Sequence, residues 1–266
     1  MRQTDPLSVR DVKQSAGTPE HAGVPLRRII TILVFVIGIY LFQLFSSWIG
    51  ERFAGVFSYS LIDPNGAFMW IIIHHIVQAL AALILIVIFS KTIRIDFGFR
   101  VGNLKLGLKC VAIAALVLAI YMVVSYYVGH NLGLINKYAY PLDARNVTGT
   151  LIFQFFFSGT SEEILFRALP ISLLGYVWHG KSLRSQIAIS GIVALLFAIA
   201  HIRWSVGTSG LIASYDWIQL AFAFVLGTFQ GIIFQRTGSV YYSMAVHSIS
   251  NVLATVGGYV YFLYII

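Results

Sequence analysis

Two adjacent glutamates, Glu162 and Glu163, lie in a segment of the chain that is otherwise apolar enough to cross a membrane. Between residues 153 and 170, only one other charged residue, Arg167, accompanies them. A carboxylate at the centre of a bilayer costs at least about 2.5–3.5 kcal/mol, so an unpaired one rarely persists without a function. The glutamate pair therefore indicates chemistry or transport inside a membrane.

The composition agrees with a membrane protein. Hydrophobic residues make up 58% of the 266-residue chain and charged residues only 11%, whereas a soluble domain carries roughly a quarter charged residues. The net charge of +8 fits basic loops that face the headgroups of a lipid bilayer, and we expect no nucleic-acid partner. The single cysteine, Cys110, excludes an internal disulfide and a thiol metal cluster.

The distribution of apolar residues predicts an all-α, polytopic membrane fold. Residues 1–27 are polar and predict a flexible cytosolic tail, and residues 28–266 form the membrane domain. Seven apolar segments in that domain each approach the ~20 residues that a helix needs to cross hydrocarbon. A break at Gly257-Gly258 would split the last segment and add an eighth, short span. The seven segments are approximately 29–49, 67–90, 106–128, 148–176, 186–204, 213–235 and 239–265.

The basic residues between these segments predict the orientation. With the N-terminus inside, thirteen lysines and arginines fall on the inner side and four on the outer side. Cytoplasmic loops carry such an excess of positive charge. We therefore expect a multi-pass protein with its N-terminus in the cytoplasm, and the compactness of the chain favours a prokaryotic cell membrane.

The two glutamates differ in how well Arg167 can serve them. Glu163 and Arg167 are four residues apart and share one helical face, in the order that favours an ion pair. Glu162 lies about 100° further round the helix and is less well paired, which suits a proton acceptor. The alternative interpretation is that both acids only brace Arg167 against neighbouring helices.

Two histidines and an asparagine on later segments could join this chemistry. His201 ends the fifth segment, and His247 and Asn251 share one face of the seventh because they are four residues apart. At 1.5 Å per residue, Glu162, His201 and His247 fall within one to two turns of the same depth. A single intramembrane histidine is often a packing residue, and His74-His75, with no acid nearby, is interpreted as a polar helix contact.

Three ordered motifs together resemble the CAAX-protease and bacteriocin-processing (CPBP, or Abi) family of intramembrane endopeptidases. They are Glu-Glu-x-x-x-Arg, Phe-x-x-x-His and His-x-x-x-Asn, on three separate segments. The resemblance covers about residues 148–255, where the family-like catalytic core would lie. The matching residues are Glu162, Glu163, Arg167, Phe197, His201, His247 and Asn251.

The resemblance implies a glutamate-type hydrolase. Glu162 and His201 would activate a water molecule, and His247 with Asn251 would stabilise the oxyanion formed when that water attacks a peptide carbonyl. The substrate would be a membrane-associated peptide or protein, including a lipidated one. Structural support of the site would come from Glu163, Arg167 and Phe197.

Three alternatives remain open at this stage. Glu162, His201 and His247 are zinc-ligand types, although their spacing is not a familiar one and the family resemblance favours a mechanism without a metal cofactor. The chain could also be a non-catalytic immunity or partner-binding protein. A proton-coupled carrier that uses both glutamates as a relay is the third alternative, and it explains His247 and Asn251 less well.

Overall fold

The computed structural model of the chain describes residues 26–135, 137–178, 182–207 and 210–264. The N-terminal tail expected at residues 1–27 therefore lies largely outside the described residues. Seven helices follow one another in the described part. They are α1 (Leu26–Ala54), α2 (Met69–Thr92), α3 (Leu104–Asn131), α4 (residues 144–178), α5 (Leu183–Ile199), α6 (Trp217–Thr237) and α7 (Val240–Tyr264).

Helix α4 carries both glutamates and changes its winding around them. Its helical hydrogen bonds switch to the wider π pattern on each side of the short α-helical stretch that contains Glu162 and Glu163. Such π segments re-aim neighbouring side chains and are frequent at functional sites. Its five parts are Ala144–Ile152 (α), Phe153–Ser158 (π), Gly159–Glu163 (α), Ile164–Ala168 (π) and Leu169–Trp178 (α).

The helices fit a multi-pass, all-α membrane protein. Among the described residues, four helices are long and apolar enough to cross a membrane, namely α1, α2, α3 and α6. Helix α5 is apolar but has only 17 residues, and α4 and α7 contain the charged and polar site residues. The fold class is therefore confirmed, whereas a count of seven spans stays a prediction.

Successive helices run in opposite directions, so their ends gather at two poles of the bundle. At one pole, the α2–α3 connection contacts the α6–α7 turn, where Asn103 N–H donates to the Thr237 carbonyl over 2.8 Å. At the other pole, His130 near the end of α3 hydrogen-bonds Tyr261 near the end of α7 over 2.7 Å. We call the first the basic pole, because Lys91, Arg94, Arg100, Lys105 and Arg236 lie there, and the second the neutral pole.

The connection between α2 and α3 is fastened to the basic pole by hydrogen bonds. Besides the Asn103 bond, Val240 N–H donates to the Gly98 carbonyl at 3.0 Å. The hydroxyl of Tyr242 donates to the Val101 carbonyl at 2.8 Å. We call residues 97–103 the clasp, since they fasten the α2–α3 connection to the α6–α7 turn and the start of α7.

Two details of the sequence expectations need correction. Helix α5 ends at Ile199, and the chain then forms an antiparallel hairpin of β1 (Arg203–Gly207) and β2 (Gly210–Ser214) before α6. Helix α7 continues unbroken through Gly257-Gly258 to Tyr264, so the suggested break is wrong, and the number of spans stays a prediction. These glycines let tyrosines approach instead, because a Cβ at Gly258 would lie 2.9 Å from the Tyr126 hydroxyl.

The clasp gives a stability prediction at Gly102. This residue has φ of +58°, and a Cβ there would collide with the backbone carbonyl of Thr237. Gly66 has a similar φ of +65° but open space around it, so Gly66→Ala should cost only the roughly 1–2 kcal/mol of a left-handed alanine. Gly102→Ala should lower the thermal unfolding temperature in detergent clearly more than Gly66→Ala. Equal losses would show that the clasp does not hold the structure.

Candidate active site

The charged centre of the site is a fully buried ion pair between α4 residues. Arg167 and Glu163 are both 0% exposed, and Arg167 Nε lies 3.5 Å from Glu163 Oε1. Arg167 Nη2 donates to Gln230 Oε1 on α6 over 2.8 Å, and the guanidinium stands 4.1 Å from the centre of the Phe197 ring. Gly227 permits this approach, since a Cβ there would lie 2.9 Å from Arg167 Nη2.

Glu162 occupies a different environment from its neighbour. Its side chain is 17% exposed and lines a cavity. The Ser158 hydroxyl donates to Glu162 Oε1 over 3.2 Å, and Asn251 Nδ2 in turn donates to Ser158 Oγ over 2.9 Å. Of the two adjacent acids, Glu162 is therefore the one that a water molecule or a substrate could reach.

His247 on α7 lies between the two glutamates. Its Nδ1 is 2.8 Å from Glu163 Oε1, and its Nε2 is 3.5 Å from Glu162 Oε2. The carboxylate of Glu163 can only accept, so Nδ1 carries the hydrogen of that bond. The imidazole is 5% exposed and packs edge-on against the Phe197 ring at 5.8 Å. Glu163 therefore fixes the orientation of His247.

His201 reaches the site from the turn that follows α5. Its Nδ1 lies 2.9 Å from the backbone carbonyl of Phe197, and a carbonyl accepts, so Nδ1 is the donor. In the neutral imidazole, Nε2 then keeps its lone pair. The ring lines the same cavity as Glu162 and packs edge-on against Phe197 at 4.7 Å. His201 thus offers a base to the space that Glu162 faces.

His75 on α2 is a member of this site that the sequence analysis missed. Its Nδ1 is 2.8 Å from Ser161 Oγ and 3.8 Å from Glu162 Oε1. Because the Ser161 hydroxyl donates to the Phe157 carbonyl over 2.6 Å, the hydrogen between His75 and Ser161 sits on His75. The sequence did contain a sign of this role, because Gln78 lies one turn after His75 and both are polar residues on the mostly apolar α2.

The cavity has a volume of about 460 Å³ and extends from Glu162 to the neutral pole. One wall comes from α4, α5 and the start of the hairpin. The other wall is polar and comes from α1 and α2. Its polar lining residues are Gln43, Ser47, Glu51, His74, His75 and Gln78.

Of the predicted residues, Glu162, Phe197 and His201 line this cavity. Glu162, Glu163, His247 and Asn251 are connected by direct contacts or through Ser158, and His201 reaches the cavity separately. The alternative zinc ligands Glu162, His201 and His247 are not placed in the described residues as a group that could hold a metal ion, and zinc binding by them stays an alternative to be tested. In the part of the chain that the structure describes, no three His, Cys, Asp or Glu side chains are placed to hold a metal ion.

Comparison with known proteins finds a family match for the segment that begins with α4 and ends within α7. No curated protein and no solved structure shows a significant match to the chain. Residues 144–253 match the family model described as "Rce1-like: Type II CAAX prenyl endopeptidase Rce1-like", which is consistent with the CAAX-protease and bacteriocin-processing family. This segment holds both glutamates, both motif histidines and Asn251, so the similarity to type II CAAX prenyl endopeptidases lies in the part of the chain that carries the candidate site.

Proposed function

We propose that the chain is an intramembrane endopeptidase of the glutamate type, which hydrolyses a peptide bond in a membrane-associated peptide or protein. The observation that carries the proposal is the position of Glu162. Glu162 and His201 line the same cavity. His247 lies beside the Glu162 carboxylate, and Ser158, which accepts a hydrogen bond from Asn251, donates one to it. The family match over residues 144–253 supports a peptidase, and the geometry supports the roles below.

Glu162 and His201 would activate the attacking water. The water oxygen bonds to the carbonyl carbon of the peptide while its proton passes to the Glu162 carboxylate or to His201 Nε2. The tetrahedral intermediate collapses when the C–N bond breaks, and the same proton is delivered to the departing amine. Phe197 assists by holding His201, through both its backbone carbonyl and its ring.

His247 and Asn251 would stabilise the oxyanion of that intermediate. Because His247 Nδ1 already donates to Glu163, Nε2 can donate only when the ring is an imidazolium. The carboxylates of Glu162 and Glu163 flank such a cation, and Arg167 supplies the second positive charge. Two negative charges then balance two positive charges. Asn251 Nδ2 donates one hydrogen to Ser158 and has a second for the oxyanion.

The first test compares peptide termini in host cells that carry either the wild type or Glu162→Gln. We expect a set of termini to vanish in the variant while the protein stays at normal abundance, since the amide cannot take a proton from water. Mass spectrometry of the termini makes the measurement and identifies the substrate. Unchanged termini in cells that express the protein would favour a non-catalytic immunity or partner-binding function.

The second prediction concerns the oxyanion donor. Asn251→Ala should lower kcat about 100-fold or more on a substrate found in that survey, with a smaller change in KM, because an oxyanion donor acts mainly in the transition state. Ser250→Ala, a buried neighbour on the same helix, is the matched control. A loss of similar size in both variants would assign the effect to helix packing.

The third prediction concerns metal. Because the described residues offer no metal-holding cluster, Glu162-dependent cleavage by the purified protein should survive treatment with a strong zinc chelator. The measurement is the cleavage rate before and after chelation, and again after zinc is added back. Loss of activity that zinc restores would contradict the proposed mechanism, which uses no metal ion.

A further inference from the structure

The entrance of the cavity lies at one defined end of the bundle. Its deep part is lined by Glu162 and Phe166 of α4, and its rim by Glu51 near the end of α1 and by Arg203 and Trp204 of the hairpin. Glu51, Arg203 and Trp204 are exposed. Because α1 and α5 both end at the neutral pole, the cavity opens there.

The two poles differ strongly in charge. Of the described residues, nine lysines and arginines and one acid lie at the basic pole, whereas four cations and four acids lie at the neutral pole. The basic-pole residues are Arg27, Arg28, Lys91, Arg94, Arg100, Lys105, Lys109, Arg184 and Arg236, with Asp96. The neutral-pole residues are Arg52, Lys137, Arg145 and Arg203, with Glu51, Asp63, Asp143 and Asp216.

Short loops that are rich in lysine and arginine stay on the cytoplasmic side of a membrane. The basic pole is therefore the cytoplasmic one, and the entrance of the cavity faces away from it. We propose that this site takes its substrate from the extracytoplasmic side, as a polar peptide segment that has already crossed the membrane or is anchored in its outer half. This inference rests on the proposed peptidase function for the identity of the substrate as a peptide, but the side of the entrance is independent of it.

The wall formed by α1 and α2 supports a peptide as the occupant. Gln43 is 4% exposed, and neither its amide nitrogen nor its amide oxygen has a hydrogen-bond partner among the described residues. It lines the cavity together with Gln78 and Ser47. A carboxamide carries the same donor and acceptor groups as a peptide bond and can pair with one. A hydrocarbon chain in this position would leave those groups unpaired.

The side of the entrance can be measured with single-cysteine variants in a Cys110→Ala background, because Cys110 is the only cysteine of the chain. Ser47→Cys reports on the cavity, Ser58→Cys on the neutral pole and Thr92→Cys on the basic pole. A membrane-impermeant maleimide is applied to intact cells, and again after permeabilisation. We expect Ser47→Cys and Ser58→Cys to react in intact cells, and Thr92→Cys to react only after permeabilisation.

The opposite pattern, with Thr92→Cys reacting first, would overturn the proposal and place the entrance in the cytoplasm. Reaction of Ser58→Cys without Ser47→Cys in intact cells would overturn it as well, because the cavity would be closed on that side. Labelling requires no proteolysis, so the same pattern is expected in a Glu162→Gln background. The vanishing termini in the survey should map to exported segments, and termini from cytosolic proteins would contradict the proposed substrate.

Discussion

The buried pairing of Glu163 with Arg167 is the constraint on which the rest of the site depends. Both side chains are fully buried, and a buried charge that loses its partner destabilises a protein by about 3–5 kcal/mol. Groups from three other helices contact the pair: Gln230 from α6, the Phe197 ring from α5 and His247 from α7. An ion pair inside one helix thereby contacts groups on three other helices, including α7, which carries His247, and α5, which ends two residues before His201.

The two adjacent glutamates face different surroundings because of helix geometry. A rotation of about 100° per residue turns Glu163 towards Arg167 and Glu162 towards the cavity. The π segments on both sides of Gly159–Glu163 set this short stretch apart from the rest of α4. Gly159 also lets α7 come close, since a Cβ there would lie 2.8 Å from the backbone nitrogen of Ser248. His247 and Asn251 flank that point of contact, so the same close approach brings both side chains towards Glu162.

The sequence predicted the members of the site whose partners lie on the same helix or in an ordered motif. The i,i+4 relation of Glu163 and Arg167 is an example, and the structure shows this pair. His75 could not be found in this way, because its contact with Ser161 depends on how α2 packs against α4. The hairpin of 203–207 and 210–214 was missed for a similar reason: residues 203–204 and 213–214 fall at the ends of two apolar segments of the sequence, and hydropathy alone does not show where a helix stops. Gly257-Gly258 wrongly suggested a helix break, because glycine also occurs where helices pack closely.

In the proposed mechanism, chemistry and substrate recognition come from different parts of this chain. The residues proposed to act on the peptide bond lie within the family-matched segment 144–253, whereas the polar wall that faces them belongs to α1 and α2, outside it. Gln43 on that wall is 4% exposed, and its amide has no hydrogen-bond partner within the described ranges of the chain. Burying such a group costs free energy unless a partner binds it. Since the proposed reaction needs only water and a peptide bond, the wall is where one substrate can be distinguished from another. We infer that a change of substrate would require changes in α1 and α2 and would leave Glu162, His201, His247 and Asn251 in place.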